Sequence, residues 1–124
     1  MTKTVQDMLA EARAAVPTIT PQEAMKMASD PNVVFVDLRD GTEVQASGKV
    51  KGALHIPRGL LEFQADTSAP SHNKALDPEK TIITYCAAGG RAALGGKTLK
   101  DMGYKNVLNM GGFAGWKDGG GEVE

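Results

Sequence analysis

The chain has 124 residues, 41% of them hydrophobic, with 14 basic and 15 acidic residues and a formal net charge of -1. This length allows one domain with a modest core, and the balanced, unclustered charge argues against nucleic-acid binding through a basic face. The N-terminal residues lack the apolar run of a signal peptide, and no window approaches the roughly 18 apolar residues of a membrane span. We therefore expect a soluble, cytoplasmic protein with no nucleic-acid partner and no membrane partner.

The first predicted element is an accessory helix over residues 4–15. It carries an apolar stripe and ends before Pro17. The stripe consists of Val5, Met8, Leu9 and Ala12. We divide the chain accordingly into an accessory N-terminal segment (1–17), a main domain (18–117) and a C-terminal tail (118–124).

The main domain begins with a short predicted strand and a strong helix start. Thr18 and Ile19 form the strand candidate. Thr20 then has the position of a helix cap, with Pro21 at the first helical position and Glu23 completing a capping box. The order of strand followed by helix is the first unit of an alternating pattern.

Four further strands are predicted at apolar runs along the chain. The first, NVVFVDLRD at residues 32–40, is β-branched and aromatic and ends in polar residues, as is typical of a parallel strand buried on both faces. The others are GALHIP at 52–57, TIITYC at 81–86 and NVLNM at 106–110. Because helix-compatible segments separate them, the pattern predicts an α/β fold with helices flanking the sheet.

Two segments are less regular. Residues 58–80 contain Pro70 and Pro78 and are predicted to form a long surface loop after a turn of helix at residues 60–63. Long loops in compact domains often belong to binding sites. The Gly-rich, acidic tail is predicted to fray.

Residues 86–91 carry the strongest indication of chemistry. Cys86 follows the strand predicted over 82–85 and precedes a helix predicted over 92–102, so we expect it at the carboxyl end of the sheet, where open α/β sheets bind ligands. The loop residues after it are Ala87, Ala88, Gly89, Gly90 and Arg91. Their small side chains let backbone N–H groups point inward, and the next helix adds the positive end of its dipole. The sequence therefore predicts an anion-binding loop.

This loop predicts a nucleophilic role for Cys86. The amides favour the thiolate, and they would also stabilise the anion formed when the thiolate takes a sulfur atom and becomes a persulfide. Two alternatives stay open: a lone cysteine can be an inert buried residue, and Arg91 can be a solvated surface charge. As the only cysteine, Cys86 cannot form an internal disulfide, and its spacing from His55 and His72 is not that of a metal site. We expect no metal and no cofactor.

Three segments together resemble a single-domain rhodanese, a sulfurtransferase of the rhodanese-like superfamily. They are VVFVDLRDGTEVQASGKVKGALHIPRG, ITYCAAGGRAA and GYKNVLNMGGFAGW, and the resemblance extends over about residues 18 to 117. It implies a three-layer α/β fold with a five-stranded, mainly parallel sheet flanked by helices. It also implies that Cys86 carries a sulfane sulfur from a donor such as thiosulfate to a thiol or cyanide acceptor, with residues 86–91 as the binding loop.

The resemblance assigns supporting roles to three further residues. Asp37 and Arg39 match the family's Asp-x-Arg, although a structural salt bridge explains them equally well, and Arg58 would face the entrance and attract an anionic donor, or be a surface charge. His55 and Trp116 are interpreted as packing residues. The chain departs from the family pattern at residues 48–50, where lysine follows the glycine in place of the usual histidine.

Two other functions remain open at this point. The same loop could belong to a sulfur-carrier or interaction module that exchanges sulfur with a protein partner. The resemblance also implies a fold that is shared by Cys-based phosphatases and arsenate reductases, which hold an anion over a thiolate. Here Arg91 comes five positions after Cys86, one fewer than that resemblance implies for the phosphatases, so the loop predicts sulfur transfer.

Overall fold

A computed structural model describes residues 2–124 of the chain. In these residues a sheet of four parallel strands has the order β2-β1-β3-β4, with helices packed against it. The strands are β1 (Val33–Asp37), β2 (Leu54–His55), β3 (Thr81–Cys86) and β4 (Asn106–Gly112). The helices are α1 (Val5–Ala15), α2 (Pro21–Met27), α3 (Gly41–Ser47), α4 (Leu61–Ala65), α5 (Gly90–Asp101) and α6 (Phe113–Asp118), with a 3-10 turn at Arg58–Leu60.

The expected fifth strand is reduced to one bridge. Thr18 pairs in parallel with Asn109 of β4, and the N–H of Ile19 donates to the Asn109 carbonyl at 3.0 Å. The segment cannot extend further because Pro17 has no N–H to donate and Pro21 already begins α2. The sheet is therefore four-stranded with a fifth pairing position at its β4 edge.

The two faces of the sheet carry separate apolar clusters, so the molecule has the expected three layers. Val36 of β1 and Ile82 of β3 point to the face covered by α1, α4 and α5, where Leu99 packs on them. Phe35 and Ile83, one position away in each strand, point to the opposite face. Because successive residues of a strand face opposite sides, the continuous apolar runs in the sequence correspond to strands buried on both faces.

The accessory helix is part of the first layer. Ala12 of α1 and Val16, just after it, are buried, and Val16 lies against Gly96 of α5. The predicted apolar stripe is wrong at its N-terminal half, because Val5 and Met8 are exposed. The contact of α1 with α5 thus extends from Leu9, which lies at Gly90, to Val16, and the first turn of α1 is exposed.

The loop over residues 58–80 is tied to the domain. Leu76 is fully buried, and the Tyr104 hydroxyl donates to the Ala65 carbonyl at 2.8 Å. Burial, followed by the charges of Asp77 and Asp66, raises the pKa of Tyr104 to about 12.

The C-terminal tail differs from the predicted fraying segment. Residues 122–124 run antiparallel to residues 49–51, with Val123 opposite Val50. The N–H of Lys49 donates to the Glu124 carbonyl, and the Trp116 indole N–H donates to the Glu122 carbonyl at 2.8 Å. Backbone pairing, which composition does not reveal, holds this segment. Among residues 2–124, no helix is both long and apolar enough to cross a membrane.

Candidate active site around Cys86

Cys86 is the last residue of β3 and lies at the carboxyl end of the central strands. The neighbouring β1 ends at Asp37, which is paired with Tyr85, the residue before the cysteine. Cys86 is only 1% exposed. The fold thus places the thiol where parallel α/β sheets bind ligands, beneath a covering loop.

The loop turns sharply to cover the thiol. Ala87 and Ala88 are exposed, whereas Gly89 is buried and has a φ of +100°, a left-handed conformation that favours glycine. A Cβ on Gly112 of β4 would lie 2.5 Å from the Ala87 carbonyl oxygen. The loop therefore needs glycine both within itself and on the adjacent strand.

Two backbone amides point at the sulfur. The N–H of Gly89 donates to Sγ of Cys86 at 3.0 Å, and the N–H of Ala92, in the first turn of α5, donates at 3.4 Å. Helix α5 begins at Gly90, two residues earlier than predicted, so its first turn is part of the loop. Amides and the positive end of a helix stabilise a negative charge on sulfur.

Arg91 points its guanidinium at a carboxylate. Its Nη1 and Nη2 donate to the two carboxylate oxygens of Glu43 at 2.6 and 3.0 Å. The hydrogen bonds from Arg91, followed by one from the Asp40 N–H, lower the pKa of Glu43 to about 2, and the same pairing raises the pKa of Arg91. Glu43 was not predicted from the sequence; the only signal is its position three residues after Asp40, at the start of α3.

Asp37 and Arg39 form a buried structural ion pair. The Arg39 guanidinium donates to Asp37 through Nε at 3.0 Å and Nη2 at 2.7 Å, and Arg39 is only 3% exposed. It also donates to the Ser47 hydroxyl and the Gly48 carbonyl, at the end of α3, and lies 4.3 Å from the Phe113 ring centroid. The pair joins the end of β1 to the end of α3.

The Arg58 side chain makes its hydrogen bonds to two helices and none to loop residues 86–91. Its guanidinium donates to Glu62 of α4 at 2.8 Å and to the Thr98 hydroxyl of α5 at 3.1 Å. Thr98 lies eight residues after Gly90 in α5, which at 1.5 Å per residue is about 12 Å along the helix. The Arg58 guanidinium, which the sequence predicts to attract an anionic donor, is therefore paired with the carboxylate of Glu62.

The two packing residues have satisfied polar groups. Nε2 of His55 is 2.8 Å from the Arg39 carbonyl oxygen. Trp116 lies edge-on to Phe35, with ring centroids 5.3 Å apart. Within residues 2–124, no three His, Cys, Asp or Glu side chains come together in a way that could hold a metal ion.

A groove of about 450 Å³ borders the loop at Ala87. Its apolar wall includes Phe113 and Ala114 at the start of α6, and Lys117 and Asp118 lie at the other end of that helix. The remaining lining residues are Arg39, Glu43, Ala46 and Ser47. The groove thus borders the loop and is lined by residues of both α3 and α6.

The sequence matches one protein family over most of its length. The profile of the Rhodanese-like domain family matches residues 20–119. Among curated proteins, the chain is 33% identical over 86 residues to the tRNA uridine(34) hydroxylase of Pectobacterium carotovorum, covering 69% of this chain and 23% of that protein. It is 28% identical over 94 residues to a sulfurtransferase of Allochromatium vinosum, covering 75% and 79%. The chain thus spans about a quarter of the hydroxylase.

Two solved structures share the fold over nearly the whole chain. One, from Rhodopseudomonas palustris, is a protein of unknown function described as a possible tyrosine phosphatase; it has a TM-score of 0.92 and 38% identity, covering 100% of this chain and 96% of that chain. The other is the polysulfide-sulfur transferase homodimer from Wolinella succinogenes, with a TM-score of 0.75 and 35% identity, covering 94% and 83%. The two neighbours thus share the fold of this chain but bear different functional descriptions.

Proposed function

Because the chain belongs to the family of rhodanese-like domains, we propose that it transfers a sulfane sulfur through a persulfide on Cys86. One observation carries the proposal: the only cysteine of the chain lies under a loop whose Gly89 and Ala92 amides donate to its sulfur. These amides lower the energy of the thiolate and of the persulfide anion that replaces it.

The reaction proceeds in two displacements. The Cys86 thiolate attacks the outer sulfur of the donor, a new S–S bond forms to Sγ, and the donor's own bond to that sulfur breaks with its electron pair. With thiosulfate, sulfite leaves. A nucleophilic acceptor such as cyanide or a thiolate then attacks the outer sulfur, the Cys86 S–S bond breaks, and its electron pair returns to Sγ. No external oxidant or reductant is consumed.

The donor is proposed to be a small sulfane-sulfur compound. Thiosulfate is the first candidate, and inorganic polysulfide is the second because the Wolinella neighbour is a polysulfide-sulfur transferase. Arg58 contributes nothing to donor attraction in this proposal, since its guanidinium is held by Glu62 and Thr98. Binding thus depends on the loop amides and on the helix end.

The direct test is persulfide formation followed by mass spectrometry. Incubation with thiosulfate is expected to add the mass of one sulfur atom to Cys86, and cyanide is expected to remove it as thiocyanate. The Cys86→Ser variant should neither load nor turn over. Thiocyanate production by that variant would contradict the proposal.

A sulfur-carrier role is the nearest alternative. It would use the same Cys86 persulfide but deliver the sulfur to a protein acceptor. Steady turnover with small acceptors favours an enzyme, whereas a persulfide that loads and then resists cyanide and small thiols favours a carrier.

A Cys-based phosphatase is the second candidate, because the Rhodopseudomonas neighbour is described as a possible tyrosine phosphatase. Phosphoryl transfer needs donors around the oxygens of the phosphate, but the Arg91 guanidinium is directed at Glu43 in a bidentate ion pair. We therefore expect negligible hydrolysis of an aryl phosphate. Cys86-dependent phosphate release comparable to sulfur transfer would favour the phosphatase instead.

A further inference from the structure

The groove beside the loop has a charge distribution that suits a particular kind of acceptor. Of its charged residues, Arg39 is neutralised by Asp37 and Glu43 by Arg91. Lys117 and Asp118 are exposed and form no ion pair or side-chain hydrogen bond within residues 2–124. The groove therefore offers a ligand one cation and one anion, both at the end of α6.

These two charges face different directions. Residues that are consecutive on a helix do not lie on the same side of it, so Lys117 and Asp118 present separate positions to a ligand. The groove is also lined by Ala87 of the loop and by the apolar side chains of Phe113 and Ala114, in the first turn of α6. The groove thus combines a border on the Cys86 loop, apolar side chains and, within residues 2–124, two unpaired charges of opposite sign.

We propose that this groove binds the sulfur acceptor and selects a small thiol that carries both an ammonium and a carboxylate group. The inference rests on the proposed sulfur transfer. The thiol end would approach the Cys86 persulfide past Ala87, while the carboxylate meets Lys117 and the ammonium meets Asp118. Inorganic donors and cyanide lack an ammonium group and would not depend on Asp118.

Sulfur passes from the Cys86 persulfide to the acceptor in a single displacement. The acceptor thiol loses its proton to solvent, and its thiolate attacks the outer sulfur of the Cys86 persulfide. A bond forms between the two sulfurs as the Cys86 S–S bond breaks, and the electron pair of that bond stays on Sγ. The products are an acceptor persulfide and the Cys86 thiolate.

The test compares four thiols in single turnovers. Cys86 is first loaded with thiosulfate or, if that fails, with inorganic polysulfide, and loss of the persulfide is then followed by intact mass. The acceptors are cysteine, cysteamine (ammonium only), 3-mercaptopropionate (carboxylate only) and 2-mercaptoethanol (neither). Rates are corrected for the thiolate fraction of each compound, and cyanide discharge is measured in parallel.

Each charge should contribute a selective effect. For the wild type we expect cysteine to be the fastest acceptor, with about a threefold to fivefold gain from each charged group, as is typical of an exposed ion pair. Lys117→Ala should slow cysteine and 3-mercaptopropionate but leave cysteamine unchanged. Asp118→Ala should slow cysteine and cysteamine but leave 3-mercaptopropionate unchanged. Discharge by cyanide, which has no ammonium group, should not slow in Asp118→Ala, and Lys117→Ala should slow it less than it slows 3-mercaptopropionate.

The matched control is Lys74→Ala, which removes an exposed lysine outside the groove and should change no rate. Equal rates for the four thiols, or variants that slow all of them alike, would overturn the acceptor site while leaving the proposed function intact. A chain that forms no Cys86 persulfide with either donor would overturn the proposed function and the acceptor site with it.

Discussion

At the scale of single residues, Arg91 stabilises the loop by forming an ion pair with Glu43 of α3. An arginine at the end of an anion-binding loop is expected to face the anion, but here Glu43 accepts from both of its terminal nitrogens. This pairing joins the first turn of α5, which supplies the Ala92 amide, to the first turn of α3. Glu43 therefore acts as a positioning residue for the amide at the sulfur.

The Glu43 pair predicts a particular pH dependence of stability. Its carboxyl pKa falls from 4.5 to about 2 on folding, so its contribution is fully present above pH 4.5 and is lost as the pH drops toward about 2. We expect the difference in urea midpoint between wild type and Glu43→Gln to shrink between pH 7 and pH 3. A difference that stays constant over this range would show that the carboxylate charge contributes nothing.

The Asp37 and Arg39 pair predicts a stability effect of a different size. Asp37→Asn leaves the Arg39 charge buried without its partner, and breaking a buried pair in this way costs roughly 3–5 kcal/mol. Urea denaturation measures this loss. The control is Asp101→Asn, at an exposed carboxylate paired with Lys97, which should leave the midpoint unchanged. Similar midpoints for the two variants would refute a structural role for the buried pair.

At the scale of elements, the two glycines in the middle of α5 let the helix lie close to its neighbours. A Cβ on Gly95 would collide with Leu38 Cδ1 and lie 3.1 Å from Leu61 Cδ2. A Cβ on Gly96 would lie 3.3 Å from Val16, where a methyl group has room to shift. The same kind of residue therefore meets a tight contact on one side of the helix and a looser one on the other.

This difference predicts that two alanine substitutions will change the free energy of unfolding by different amounts. Alanine gains up to about 1 kcal/mol over glycine inside a helix, while overpacking a core costs about 1–3 kcal/mol. Gly95→Ala should therefore lower the free energy of unfolding, and Gly96→Ala should leave it within about 0.5 kcal/mol of the wild type. Chemical denaturation of both variants measures this, and equal effects would show that the contact of Gly95 with Leu38 and Leu61 is no tighter than that of Gly96 with Val16.

Much of this level of structure is predictable from the sequence because it depends on local patterns. The apolar runs of β1 and β3 indicate strands buried on both faces, and they place Cys86 at a strand end. The irregularity in β4 is not predictable in this way: the register shifts so that Tyr85 pairs with Gly111, leaving Met110 as the extra residue. Such a shift depends on how two distant strands fit together.

The candidate site divides in the same way. The loop from Cys86 to Arg91 is recognisable because its residues are contiguous, whereas the partner of Arg91 is 48 residues away in sequence. Arg58 was expected near the loop because it follows a motif, but its neighbours Glu62 and Thr98 depend on helix packing. Pairings between distant side chains are therefore what the sequence leaves undetermined.

At the scale of the whole molecule, residues 122–124 connect Trp116 of α6 to residues 49–51. The Glu122 carbonyl accepts from the indole of Trp116, which packs on Phe35 of the sheet. Gly121 lies so close to the indole that any side chain there would collide with the ring. The tail composition suggests disorder, but its backbone pairs with residues 49–51 through an isolated antiparallel bridge.

This arrangement predicts that shortening the chain to end at Gly121 will affect residues far from it in sequence. The N–H groups of Lys49 and Lys51 donate to carbonyls of residues 124 and 122, so their hydrogen exchange should accelerate when these acceptors are removed. Trp116 should shift its fluorescence to longer wavelength as its indole N–H meets water, and its lost hydrogen bond should lower stability by about 1 kcal/mol.

The double variant Glu122→Ala with Glu124→Ala separates the backbone from the side chains. It removes the carboxylates that meet Lys49 and Lys51 but keeps every carbonyl acceptor of the segment. Because exposed ion pairs contribute little, its fluorescence and its exchange rates at Lys49 and Lys51 should match the wild type. The Gly52 N–H, which donates to the Glu124 carboxylate, is the one amide expected to exchange faster. If the shortened chain also matches the wild type in both measurements, the segment is frayed in solution, as its composition alone predicts, and Trp116 is held by α2 and the sheet without it.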